Sequence, residues 1–254
     1  MADTDDPKRI AAGELRKRLD LLHSAGVEWL GESTPLPEVE QLSLFAAEQP
    51  LEPADPIEER RTALEVLAER VSTCTRCLEL VTSRTRTVFG VGPLDPDLCF
   101  VGEAPGADED RQGEPFVGAA GQMLNRIIQA SGLKREDVFI CNILRCRPPG
   151  NRQPKPDEAL HCREYLDGTL ALVRPKFICA LGATATSNLL GVKTPLGKLR
   201  GKFHDYRGIP VLCTYHPAAL LEGRMPEKKK DVWDDMKLLL AKMGKPIPKG
   251  GKQG

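Results

Sequence analysis

The sequence predicts an α/β fold built on a parallel sheet covered on both faces, and three observations lead there. Four short apolar runs rich in β-formers recur along the chain: Leu98–Val101, Val138–Leu144, Phe177–Leu181 and Val211–Tyr215. Stretches of helical spacing, not tight turns, separate them, and strands alternating with helices form βαβ units. Each run also carries one cysteine (Cys99, Cys141, Cys179, Cys213), a small and readily buried side chain that suits a strand core.

The elements follow in order. Residues 10–31 show helical spacing, with Leu15, Leu19 and Leu22 on one face and Gly26 placed as a C-cap. From Glu32 to Pro56 the chain is rich in Pro and Glu without periodicity, the composition of a flexible linker. A helix is expected at Ile57–Val71, just before Cys74, and the main folded domain at residues 57–244. Within it, helices are expected at Gly118–Ala130, Pro156–Val173, Ala183–Leu190 and Lys229–Met243, and Leu199–Val211 suits a hairpin turning at Arg207-Gly208. Residues 245–254 form a basic tail without structural signals.

The composition of the 254 residues, 41% hydrophobic and 28% charged, is that of a globular protein. No apolar run approaches the roughly 20 residues that span a bilayer, and the acidic start MADTDDPKRI has no apolar secretory region, so a cytoplasmic protein is expected. The formal net charge is zero, but it is unevenly distributed. Positions 1–60 hold 6 Lys/Arg against 14 Asp/Glu, whereas positions 61–254 hold 30 against 22. A basic body behind an acidic leader fits a polyanionic ligand.

Ligands of open α/β sheets bind beyond the carboxyl ends of the strands. The first run ends in Gly102-Glu103-Ala104-Pro105-Gly106, followed by Glu109-Asp110 and Pro115-Phe116-Val117-Gly118. The second carries Asn142 and leads into Arg145-Cys146-Arg147-Pro148-Pro149-Gly150-Asn151-Arg152. The third meets Gly182-Ala183, and the fourth delivers His216-Pro217 with Leu220-Leu221. Carboxylates, an amide, an aromatic ring and a histidine therefore converge on one rim, a set suited to base recognition, charge stabilisation and a positioned water.

The other four cysteines lie outside the apolar runs. Cys74 and Cys77 form a C-x2-C pair, and Cys146 and Cys162 stand apart from it. Two separated pairs in a reducing compartment read as four thiolates on a metal, and spacing leaves zinc and an iron–sulfur cluster equally open. With every position filled, such a site is structural. The cations Arg145, Arg147, Arg152 and Lys155 around Cys146 suggest a phosphate-contacting loop.

Together these motifs closely resemble the family 4 uracil-DNA glycosylases, the iron–sulfur branch of their superfamily, from about Cys74 to Met243. The resemblance implies a three-layer α/β/α sandwich with a central four-stranded parallel sheet, and a [4Fe-4S] cluster on Cys74, Cys77, Cys146 and Cys162. It further implies a monomeric bacterial enzyme of the nucleoid that removes uracil from single- and double-stranded DNA. A uracil pocket would be formed by Ala104, Gly106, Phe116, Asn142 and His216. Catalysis would involve His216 and either Glu103 or Glu109, with Arg147, Arg152, Leu220 or Leu221, and Arg224 contacting DNA. No lysine stands at these strand ends, so hydrolysis without lyase activity is expected. Leu196–Lys202 contains no histidine, and Ala104 replaces the glutamine of a covalent-binding branch. Finally, Gln41-Leu42-Ser43-Leu44-Phe45 resembles the pentapeptide with which bacterial proteins dock on the DNA sliding clamp.

Overall fold

The computed structural model describes residues 56–222 and 224–248, together with Arg16, Lys17, Asp20, His23 and Ser24. The chain divides into two units, residues 1–52 and 53–254. In the first, the five described residues are helical and exposed. The remainder of the expected helix at 10–31, the linker and the pentapeptide 41–45 lie outside the described residues, as does the end of the basic tail.

The second unit begins with helix α1 (Pro56–Ser72) and a short α2 (Leu78–Ser83). Strand β1 (Leu98–Gly102) then leads through α3 (Ala107–Gln112) and α4 (Ala119–Ala130) into β2 (Phe139–Asn142). Helix α5 (Pro156–Val173) connects to β3 (Phe177–Leu181), and α6 (Gly182–Leu190) with α7 (Leu196–Leu199) precedes β4 (Phe203–Tyr206) and β5 (Ile209–Thr214). Helix α8 (Lys229–Lys242) follows.

The sheet has the order β2-β1-β3-β5-β4. The four expected strands are mutually parallel, and β4 adds an antiparallel edge beyond β5. That fifth strand is the first arm of the expected hairpin. Arg207 and Gly208 both take positive φ at its two-residue turn, 51° and 85°, matching the twist of the flanking strands.

Alternate strand residues face opposite layers. Cys99, Val101, Phe139, Cys141, Ile178, Ala180, Val211 and Cys213 pack with Leu166, Leu170 and Val173 of α5, Ala185 and Leu189 of α6, and Leu196 and Leu199 of α7. Leu98, Phe100, Ile140, Cys179 and Leu212 pack with Met123, Leu124 and Ile128 of α4 and Val232, Met236 and Leu239 of α8. A three-layer α/β/α sandwich results. The four strand cysteines are completely buried within it, as expected of core residues. Strand order reverses about β1, with β2 on one side and β3 on the other, which opens a crevice at the carboxyl ends. Among the described residues no helix is long and apolar enough to cross a membrane.

Candidate active site

Gly102, Asn142, Gly182 and His216 stand at the carboxyl ends of the parallel strands, with Gly102 directly beside Asn142 in register. Asn142 is 1% exposed, and among the described residues its Oδ1 has no hydrogen-bond partner. Leaving such an acceptor unpaired costs about 1–3 kcal/mol, and a ligand that supplies the donor removes that cost. A Cβ at Gly102 would lie 2.4 Å from this Oδ1 and 2.5 Å from Cζ of Phe116. Glycine alone lets the amide and the aromatic ring meet over the end of β1.

Phe116 holds φ at 54°, an unfavourable left-handed conformation for an aromatic residue. Helix α4 packs against its backbone so closely that a Cβ at Gly121 would come within 1.9 Å of the Phe116 carbonyl oxygen. The ring is 5% exposed and inclined 32° to the His216 ring, with centroids 5.7 Å apart.

His216 accepts a hydrogen bond at Nδ1 from the Ala218 N–H at 3.1 Å, so the neutral ring carries its proton on Nε2. The ring is enclosed by protein atoms, although part of the residue still meets solvent. That burial, with the positive charge of Arg224 adding to it and Glu109 opposing it, pushes the histidine down to about 4. At neutral pH it is an uncharged donor.

The two candidate carboxylates have different surroundings. Glu109 accepts from the Gly106 N–H at 3.1 Å through Oε2 and from the Val117 and Gly118 N–H groups, both at 2.9 Å, through Oε1. It joins the two loops that follow β1. Glu103, half-buried at the mouth of the strand, makes no side-chain hydrogen bond or ion pair among the described residues. Ala104 and Gly106 lie on the same loop, and Asp110 anchors it from below by accepting from the Thr85 N–H.

The cationic loop differs from expectation. Arg145 is buried in the core, where its guanidinium donates to the Phe89 carbonyl and to Thr169 Oγ1, so it cannot reach a phosphate. Arg152 forms a bidentate pair with Glu158 at 2.6 and 2.9 Å and also meets Glu79, which holds Lys155 as well. These two cations are engaged in joining α2 to α5. Arg147 makes one neutral hydrogen bond, to Asn151 at 2.8 Å. Leu220 is 2% exposed and belongs to the core, whereas Leu221 is half-exposed and Arg224 lies on the surface.

The model of the uracil DNA glycosylase superfamily matches residues 89–237. A type-4 uracil-DNA glycosylase of Thermotoga maritima is 44% identical over 179 residues, covering 70% of this chain and 93% of that protein. The type-4 enzyme of Archaeoglobus fulgidus is 39% identical, covering 73% of this chain and 96% of its own length. This chain belongs to the type-4 uracil-DNA glycosylase family. A type-5 uracil-DNA glycosylase of Pyrobaculum aerophilum is a more distant relative, 31% identical over 59% of this chain.

In this family member Cys77, Cys146 and Cys162 gather with Leu80, Leu144 and Ala104. Cys74 packs beside Val71 and Tyr165. Burial, with the neighbouring thiols, pushes Cys77 up to about 11, and burial does the same to Cys146 against the opposing effect of Arg84. Among the described residues no three His, Cys, Asp or Glu side chains form a group that could hold a single metal ion. Sequence reasoning missed Arg84, which donates to Cys146 Sγ at 3.0 Å and to the Cys74 carbonyl at 2.8 Å. An arginine just after a short helix gives no signal of such a role. It also missed Gly102 and Gly182 as residues that make room for Asn142 and His216.

Proposed function

We propose that this protein hydrolyses the N-glycosidic bond of deoxyuridine in DNA, releasing uracil and leaving an abasic site. The observation that carries the reading is the unpaired Asn142 Oδ1 beneath the Phe116 ring, beside a neutral histidine. A target base must leave the duplex to enter such a pocket. Phe116 then supports the uracil face. Asn142 accepts from uracil N3–H through Oδ1 and donates to O4 through its amide nitrogen, a pattern that cytosine does not match. His216 donates Nε2–H to O2 as negative charge gathers on the departing base. Electrostatic donors of this kind contribute about 3 kcal/mol to the transition state.

Bond breaking leaves a cationic sugar, which water captures. Glu103 is the carboxylate that orients this water, because its side chain makes no hydrogen bond among the described residues, whereas Glu109 accepts three backbone N–H bonds that tie the two loops together. The backbone at Ala104 and Gly106 lets the base approach closely. Leu221, not Leu220, is the wedge that enters the space vacated by the base. Arg224 and Arg147 contact phosphates, and with no lysine at the pocket the reaction stops at the abasic site.

Four thiols of one neighbourhood, two from the turn between α1 and α2, one from the loop after β2 and one from α5, with Cys146 receiving an arginine hydrogen bond, fit thiolate ligands of a [4Fe-4S] cluster. Tetrahedral zinc, with bonds of about 2.3 Å, would need its sulfurs about 3.8 Å apart, whereas a four-iron cluster is wider. Cys74, Cys77, Cys146 and Cys162 would hold it, and it would supply cross-linking of α1, α2, the Cys146 loop and α5. The pentapeptide Gln41, Leu42, Ser43, Leu44, Phe45 is a tether to the sliding clamp in this reading, an apolar peptide in an acidic segment.

The test is an oligonucleotide carrying a single uracil, with a thymine control. Alkali-labile breakage and free uracil are expected from the uracil strand alone, falling sharply in Asn142→Ala. A stable protein–DNA adduct without free uracil, or equal activity in Asn142→Ala, overturns the reading.

A further inference from the structure

We propose that Arg84 sets the reduction potential of the cluster by hydrogen-bonding the sulfur of Cys146, an inference that rests on the iron–sulfur reading above. Arg84 follows the last residue of α2, the helix that starts immediately after Cys77. Its guanidinium reaches back to the turn that carries Cys74 and Cys77 and across to the Cys146 loop, giving one N–H to Cys146 Sγ at 3.0 Å and another to the Cys74 carbonyl at 2.8 Å. One side chain thus joins the two segments that carry three of the four thiols, and Cys146 itself is buried beside it. Among the other cations near the site, Arg76 pairs with Glu164, and Arg152 and Lys155 pair with Glu158 and Glu79. Arg84 makes no ion pair with a carboxylate among the described residues, so its charge is not cancelled locally.

The physical consequence has a fixed sign. Adding one electron to a cluster held by four thiolates makes the assembly more negative, and the extra charge spreads onto the sulfurs. A cationic N–H donor aimed at one sulfur stabilises that reduced state more than the oxidised one, which raises the potential. Only the strengthening of this charge-assisted bond on reduction biases the two states, and the expected bias is about tenfold. For one electron, a tenfold bias corresponds to about 59 mV.

The experiment is voltammetry of the full-length, iron-loaded protein at an electrode, which supplies the electron; no bond forms or breaks. Iron and sulfide content and the visible spectrum are recorded first for wild type, Arg84→Lys and Arg84→Gln. Lysine keeps the charge but its single ammonium cannot serve both the sulfur and the Cys74 carbonyl as a planar guanidinium does. The expected order of potentials is wild type, then Arg84→Lys, then Arg84→Gln, with the last about tenfold less readily reduced. A residue that merely packs the loop would alter stability without this order. Should Arg84→Gln fail to load iron, Arg84→Lys alone must lie below wild type. Equal potentials in wild type and the loaded variant overturn the proposal while leaving the cluster intact. A colourless, zinc-loaded wild type overturns the iron–sulfur reading and this inference together.

Discussion

Replacing His216 with alanine tests the central chemical claim, that a neutral imidazole stabilises the departing base. The ring is turned by the Ala218 N–H on Nδ1, which leaves Nε2–H as its donor, and burial pushes its titration down to about 4. Loss of one such preorganised donor costs about 2.7–4 kcal/mol, or 10²–10³-fold in kcat. Because the interaction strengthens only as charge develops, KM should change little. Single-turnover uracil release at saturating enzyme reads the chemical step directly. In wild type that rate should show no inflection near pH 6.5, because the ring stays neutral throughout the range from 5 to 8. Stability gives a second readout. Between pH 6.5 and about 4 the unfolded histidine binds a proton that the folded one does not, so stability falls as pH is lowered through this window. The slope is at most about 1.4 kcal/mol per pH unit, with a ceiling near 3 kcal/mol that solvent contact reduces. His216→Ala should lack this component. A wild-type rate governed by an ionisation near 6.5, or a His216→Ala loss below tenfold, would refute the neutral-donor reasoning.

Other consequences are equally measurable. Gly102→Ala inserts a methyl 2.4 Å from Asn142 Oδ1 and 2.5 Å from the Phe116 ring, so it should lower stability by about 1–3 kcal/mol and uracil release by far more than that predicts. Thermal melts and kinetics on the same sample separate the two effects. Arg224→Ala should weaken DNA binding and reduce the salt slope by about one counterion, whereas Arg152→Ala, which breaks the pair with Glu158, should lower the melting temperature and leave the slope unchanged. Equal salt slopes for wild type and Arg224→Ala would remove that residue from the DNA surface. Deleting residues 41–45 should abolish clamp pull-down and spare activity on short oligonucleotides; retained pull-down would end the tether reading.

Periodicity and composition were sufficient for the strands and the long helices. Strand cysteines such as Cys99 and Cys179 sit in apolar runs that can only be buried, whereas Cys162, in a polar stretch of sequence, is buried with Leu80 and Leu144 only by the packing of α5. The hairpin at Arg207-Gly208 was legible because a two-residue turn has its own residue chemistry. Helices α2, α3 and α7, of four to six residues, were not, since fewer than two turns leave no period to read. The rim residues were legible as a set, because strand ends in a parallel sheet must share one edge.

What each of those residues does was decided only in three dimensions. Arg145, Arg147 and Arg152 look alike in sequence, yet one is a core residue, one a half-exposed cation and one a structural partner of Glu158. Glu109 and Glu103 are both strand-end carboxylates, and only the fold of the loop brings three backbone amides to one and none to the other. Leu220 and Leu221 are adjacent, and the turn after His216 buries the first and exposes the second. Local sequence pattern was enough for the layers, the strand-end edge and the residue types assembled along it. Burial and hydrogen-bond partners, which depend on chain segments far apart in sequence, assigned each side chain its work.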